Sequence, residues 1–175
     1  MSGERNLTAA QRGTALHAFM QFVDLRKAQL DLESEIKSLM ERNFLTAEQA
    51  EALDRVQIKR FLDSDLCARI LASPSVVREY RFAVNMDASE VVPELKSEFA
   101  SEKVMLQGAI DCIFEEDGEL ILVDYKTDKT ASEQVLREQY GRQLELYARA
   151  LRECTGKNIA QKVLYSFYTG SGFFF

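Results

Sequence analysis

Gly108-Ala109-Ile110-Asp111-Cys112-Ile113-Phe114-Glu115-Glu116-Asp117-Gly118-Glu119-Leu120-Ile121-Leu122-Val123-Asp124-Tyr125-Lys126 is the stretch on which the fold turns. Asp117-Gly118 sits between two apolar, β-rich runs. It is a strong hairpin signal, because a two-residue type I′ turn needs positive φ at both central positions. The reading predicts strands over 104–114 and 120–126. With Asp117 and Gly118 in the turn, the register sets Asp111 opposite Asp124, with Cβ atoms about 4.5–5.5 Å apart. Period-2 alternation places Lys126 on the face of Asp124. Ile121, Val123 and Tyr125 line the other face, and the same register assigns Ile110 and Cys112 to it.

Side-by-side carboxylates on neighbouring strands repel each other and are normally avoided. A divalent cation between them turns that repulsion into a binding site, and Mg²⁺ or Mn²⁺ favours such hard oxygen ligands. A bound ion would acidify a water and offset charge on a phosphate oxygen, and Lys126 would add positive charge nearby. The bland alternative is a solvated surface hairpin. Leu120 and Leu122 speak against it, since they make the acid-bearing face apolar near the turn. A hairpin apolar on both faces is buried, where solvated acids do not belong.

Around the hairpin, the chain reads as helices first and strands later. Thr8-x-x-Gln11 has capping-box form, and Leu16, Phe19, Met20 and Val23 follow the spacing of a buried helical stripe. A charged helical stretch is expected over 30–42. Thr46-x-x-Gln49 is a second capping box, opening a helix to about residue 62, and a short helix covers 64–72. Residues 76–84 read as a strand. Thr130-x-x-Glu133 resembles a cap for a helix reaching about residue 154, with Gly141 marking a break or a close approach. Residues 162–168 read as a final strand, and 173–175 as a short addition. This order gives an α/β class with one mixed sheet.

The 175 residues suit one domain, 46% hydrophobic and 29% charged. No run approaches the roughly 18 apolar residues of a membrane span, and Met1-Ser2-Gly3-Glu4 does not open a signal peptide, so no membrane partner is expected. Cys67, Cys112 and Cys154 are odd in number and far apart, which speaks against a disulfide framework and points to a reducing cytoplasm. The net charge of −6 runs against the basic footprint expected of a nucleic-acid binder. A carboxylate site holding a divalent ion inverts that local effect, so charge alone does not decide.

Gly108-Ala109-Ile110-Asp111 followed by Asp124-Tyr125-Lys126-Thr127-Asp128 resembles the signature of the PD-(D/E)xK nucleases in their RecB-like branch. Arg12-Gly13-Thr14-Ala15-Leu16-His17, Arg78-Glu79-Tyr80-Arg81-Phe82 and Gln143-Leu144-Glu145-Leu146-Tyr147 resemble three further elements, in the family's order. The likeness is closest to the nuclease domain that ends the AddA-type helicase–nucleases. It implies a restriction-endonuclease-like core, a central mixed sheet flanked by helices, with residues 30–72 as an N-terminal helical elaboration. It implies Asp111, Asp124, Lys126, Glu79, Gln143 and Tyr147 as catalytic residues. The implied metal ligands are His17, Asp111, Asp124 and the backbone carbonyl of Tyr125, holding Mg²⁺ or alternatively Mn²⁺.

The resemblance further implies DNA as substrate, as single-stranded ends. It implies two partners, a helicase portion of the same polypeptide and an AddB-like subunit. Residues 1–175 are then a single nuclease domain cut from the C-terminal end of a longer protein, starting with an added Met1-Ser2-Gly3. The three cysteines lack the spacing of an iron–sulfur cluster. Gly156-Lys157 lacks the rest of an ATP-binding loop, so no ATP site is expected. Two other readings stay open: a stand-alone RecB-like exonuclease or structure-specific endonuclease, and a non-catalytic docking module with a degenerate site. The presence of Asp111, Asp124 and Lys126 together argues against the last.

Overall fold

The computed structural model describes residues 8–92, 94, 99, 101–130 and 132–175, so the expectations placed on residues 1–3 fall outside it. Backbone contacts divide the chain into two compact units: residues 1–73, 125–131 and 165–172, and residues 74–124, 132–164 and 173–175.

The first unit is built mainly from six helices: α1 (Ala9–Phe22), α2 (Leu25–Leu30), α3 (Leu32–Glu41), α4 (Ala47–Ala52), α5 (Arg55–Leu62) and α6 (Asp65–Ala72). Thr8 and Thr46 form the two expected capping boxes, with Gln11 and Gln49 reaching back to the cap backbone. The helix expected over 30–42 is observed as α3, which begins behind Asp31, whereas the one expected over 46–62 divides at Asp54. In both cases the aspartate side chain accepts backbone N–H groups of the following turn, from Ser34 at Asp31 and from Val56 and Gln57 at Asp54. A carboxylate placed there satisfies donors that would otherwise lack partners, so the chain restarts a helix instead of extending one. The stripe Leu16, Phe19, Met20 and Val23 is buried. Phe61 packs edge-on against Tyr125 (5.6 Å) and Tyr165 (5.0 Å) and lies 5.5 Å from Phe167, giving this unit an aromatic centre.

Five strands, β1 (Val76–Asp87), β2 (Lys103–Glu116), β3 (Glu119–Lys126), β4 (Ile159–Ser166) and β5 (Ser171–Phe174), form one mixed sheet in chain order, flanked by helices. The short α7 (Ala88–Val91) follows β1, and α8 (Glu133–Thr155) joins β3 to β4. β1–β2–β3 is an antiparallel meander. Leu120 N–H donates to Asn158 O and Phe167 N–H to Lys126 O, so β3 and β4 run in the same direction, as a helical crossover requires. β4 starts at Ile159, three residues earlier than expected.

Under α8, Leu136, Leu144, Ala148 and Leu151 pack with Phe82, Ile110, Ile113, Leu122 and Leu164. The cap of α8 is Ser132, not Thr130; its hydroxyl accepts from Val135 N–H, immediately before the first helical residue. Gly156 closes the helix at φ +67°, the left-handed conformation glycine adopts without a Cβ penalty. α8 continues through Gly141, where a Cβ would lie 3.5 Å from the Phe175 ring. That is ordinary van der Waals contact, so the break expected at Gly141 is absent and the approach there is no closer than a side chain tolerates. Among the described residues, no helix is long and apolar enough to cross a membrane.

Candidate active site

The hairpin forms in the predicted register. Asp117 (φ +52°) and Gly118 (φ +81°) make the turn, and pairing runs from Glu116 with Glu119 to Cys112 with Val123. Asp111 and Asp124 are the next residue on each strand. On the other side of β2, Arg78 pairs with Cys112 and Tyr80 with Ile110, so Glu79 stands level with Asp111. Glu79 on β1 is thus level with Asp111, while Asp111 and Asp124 each lie next beyond the last hairpin pair of β2 and β3. Asp124 is buried at 4% exposure, while Asp111 and Glu79 are half-buried.

At this level the alternation of the sheet breaks. Glu79 has φ +52°, a left-handed conformation that costs a non-glycine residue about 1–3 kcal/mol and collects at functional sites. Ile110 and Ile113, three residues apart, both enter the core under α8, which strict alternation would forbid. The expectation that Ile110 shares a face with Cys112 is therefore corrected: Cys112 and Val123 are buried outside that cluster. The phase slip re-aims side chains at the level of Asp111, as bulges beside active sites do. The Glu79 carboxylate itself is turned to the exposed Arg81, 3.7 Å away. Among the described residues, no three His, Cys, Asp or Glu side chains gather closely enough to cage a metal ion.

Gln143 and Tyr147, one turn apart on α8, meet as their spacing predicts: Gln143 Nε2 donates to Tyr147 Oη at 3.0 Å. This leaves the phenol proton of Tyr147 to point elsewhere. Its ring is held edge-on by Phe82, 5.2 Å away. Gly108, opposite Phe82 on the sheet, makes the room, since a Cβ there would come within 2.9 Å of Phe82 Cζ and 3.1 Å of Tyr147 Oη. The glycine of the hairpin motif therefore has a packing role that its sequence position does not disclose.

In the first unit, His17 is half-buried on α1, beside the buried stripe as its spacing implies. Gly13 brings α1 close to the segment after β3, with a hypothetical Cβ only 3.1 Å from Thr127 Oγ1. Lys126 is half-buried at the end of β3. Tyr125, between Asp124 and Lys126, is 3% exposed and turns its ring to Phe61 and Phe167.

Residues 3–171 match the PD-(D/E)XK nuclease superfamily. The chain is similar to the AddA protein of Thermoanaerobacter sp. (strain X514), a subunit of an ATP-dependent helicase/nuclease, with 39% identity over 173 residues covering 96% of this chain. The protein of the same name from Clostridium botulinum (strain Hall) is 39% identical over 170 residues, covering 95%. The chain spans 14% and 13% of the length of these two relatives. The solved structure of SSO0001 superposes with a TM-score of 0.44 at 12% identity, covering 95% of this chain and 72% of that one.

Proposed function

Since the chain belongs to the PD-(D/E)XK nuclease superfamily, we propose that it is a metal-dependent deoxyribonuclease domain that hydrolyses phosphodiester bonds. Its role would be to process the ends of double-strand breaks in recombinational repair. The observation that carries this reading is the placing of Asp111 and Asp124 next after the last pair of the hairpin, with Asp124 buried in the sheet. A buried carboxylate beside a second one costs several kcal/mol unless a positive partner compensates.

The chemistry of the donors, though not their spacing among the described residues, suits a hard cation. Asp111 and Asp124 offer carboxylate oxygens, the Tyr125 carbonyl and His17 are the further ligands the family suggests, and Mg²⁺ in particular binds through one or two carboxylates while keeping several waters. When bound, the ion would acidify a water and offset charge on a phosphate oxygen. The remaining work falls to the chain. Lys126 brings an ammonium to the charge that develops on the phosphate as water attacks phosphorus and the bridging P–O bond breaks. Tyr147, its oxygen already engaged by Gln143, directs its O–H toward the DNA backbone. Glu79, in its strained conformation, orients groups around Asp111, through water where the carboxylate does not reach. By analogy with the helicase/nuclease relatives, the domain acts beside an ATP-driven helicase in the same polypeptide, and its partner is an AddB-like subunit.

The test is hydrolysis of end-labelled single-stranded DNA with Mg²⁺ and with EDTA, for wild type and Lys126→Ala. The expected outcome is metal-dependent cleavage reduced at least about a hundredfold in the variant, the cost of losing one electrostatic stabiliser. Equal cleavage by both proteins, or cleavage in EDTA, refutes the reading.

A further inference from the structure

Gly108 lies inside β2, where a glycine weakens the strand and often marks the close approach of another group. Unlike Gly118, Gly156 and Gly170 it has no positive φ, so backbone conformation does not call for glycine there. What excludes a side chain is the space above it. A Cβ at Gly108 would come within 2.9 Å of Phe82 Cζ, 3.2 Å of Phe82 Cε1 and 3.1 Å of Tyr147 Oη. Neither neighbour yields freely. Phe82 is 6% exposed and packs in the core under α8. The Tyr147 oxygen accepts from Gln143 Nε2 at 3.0 Å, and the two rings meet edge-on, 5.2 Å apart at 77°. One stack therefore joins β2, its partner residue on β1 and a phenol of α8, all within the second unit.

The stack holds an oxygen as well as a ring. Packing alone would be served by a larger residue at 108 and a smaller one at 82, without a glycine in mid-strand. The pairing found here does something more specific. Phe82 sets the tilt of the Tyr147 ring, Gly108 lets Oη come down onto β2, and Gln143 takes up one of the oxygen's lone pairs. The O–H is left a narrow set of directions.

We propose that Gly108 and Phe82 are positioning residues for cleavage. They fix the Tyr147 hydroxyl over the strand that carries Asp111 three residues on, and so aim its O–H at the DNA backbone. The inference rests on the nuclease reading above, in which Tyr147 contacts the strand being cut. Gly108 and Phe82 act only through the phenol.

The test is a double-mutant cycle on Mg²⁺-dependent cleavage of end-labelled single-stranded DNA. Tyr147→Phe keeps the ring and removes the hydroxyl. It is expected to slow cleavage about tenfold, the value of one hydrogen bond to a charged oxygen. Gly108→Ala, which displaces the phenol, should cost a similar factor alone and nothing further in the Tyr147→Phe background. Phe82→Leu stays apolar and removes the edge-on contact. It should behave in the same way, and it carries the test if Gly108→Ala does not fold. Calorimetric Mn²⁺ affinity of the single variants should match wild type, which separates an effect through Tyr147 from a displaced Asp111. Where wild type cleaves, three results overturn the positioning role alone: equal losses in both backgrounds, full activity of the folded variants, or weakened Mn²⁺ binding. Absence of cleavage by wild type overturns the nuclease reading itself, and this inference with it.

Discussion

Asp124 is the most deeply buried of the candidate site's carboxylates. It is 4% exposed in a sheet whose neighbouring positions, Leu122, Val123 and Tyr125, are all buried. Burying an ionised carboxylate costs several kcal/mol before any compensation. Asp124→Asn keeps the shape and removes the charge. It is expected to lower cleavage at least about a hundredfold. Urea unfolding beside the cleavage assay separates a lost reaction from a lost fold; a variant that is less stable yet fully active would show that the carboxylate is structural. Asp111 and Lys126 are legible in the sequence because a two-residue turn fixes the register arithmetically. The strained φ at Glu79 is not, since nothing in Arg78-Glu79-Tyr80 marks a left-handed residue. The phase slip that moves Ile110 to the α8 side escapes for the same reason.

At the scale of elements, boundaries follow side-chain caps more than hydrophobic spacing. The stretch 46–62 reads as one helix because its apolar positions continue across residue 54. The structure breaks it there, since Asp54 accepts two backbone N–H groups and begins α5 anew. That break places Leu53 and Gln57, on either side of Asp54, in the lining of a small cavity of the first unit. Asp54→Ala is expected to cost about 1 kcal/mol, the usual value of a lost N-cap. A midpoint shift in chemical denaturation measures it, and unchanged stability would mean that water replaces the cap without loss. Capping boxes at Thr8 and Thr46 are readable because both partners lie close together in the chain. The cap of α8 falls two positions later than its motif suggests, because Thr130 and Ser132 are both good caps and only the structure shows which one is used.

For the whole molecule, the sequence established an α/β chain with a mixed sheet and a carboxylate-bearing hairpin. It did not establish strand order, since the parallel placement of β4 beside β3 depends on contacts across the 23 residues of α8. Nor did it show that residues near 125 and 165 belong to the helical unit, where Tyr125, Tyr165 and Phe167 surround Phe61. Burial in that cluster pushes the Tyr165 phenol up to about 12. Its neutral form is favoured on folding, so this contribution is complete below pH 10 and is lost as pH rises from 10 towards 12. Burial raises Tyr80 as well, so tyrosinate absorbance should show a late-titrating amplitude that Tyr165→Phe reduces; an unchanged late amplitude in the variant would place the buried phenol elsewhere.

The central claim is that the hairpin of β2 and β3 forms a divalent-cation site. Calorimetric titration of Mn²⁺ into wild type and Asp111→Ala tests it without depending on DNA or a partner protein. Saturable binding by wild type that is lost in the variant, with the fold intact by circular dichroism, is the predicted result. Equal binding by both proteins, or none by wild type, would contradict it.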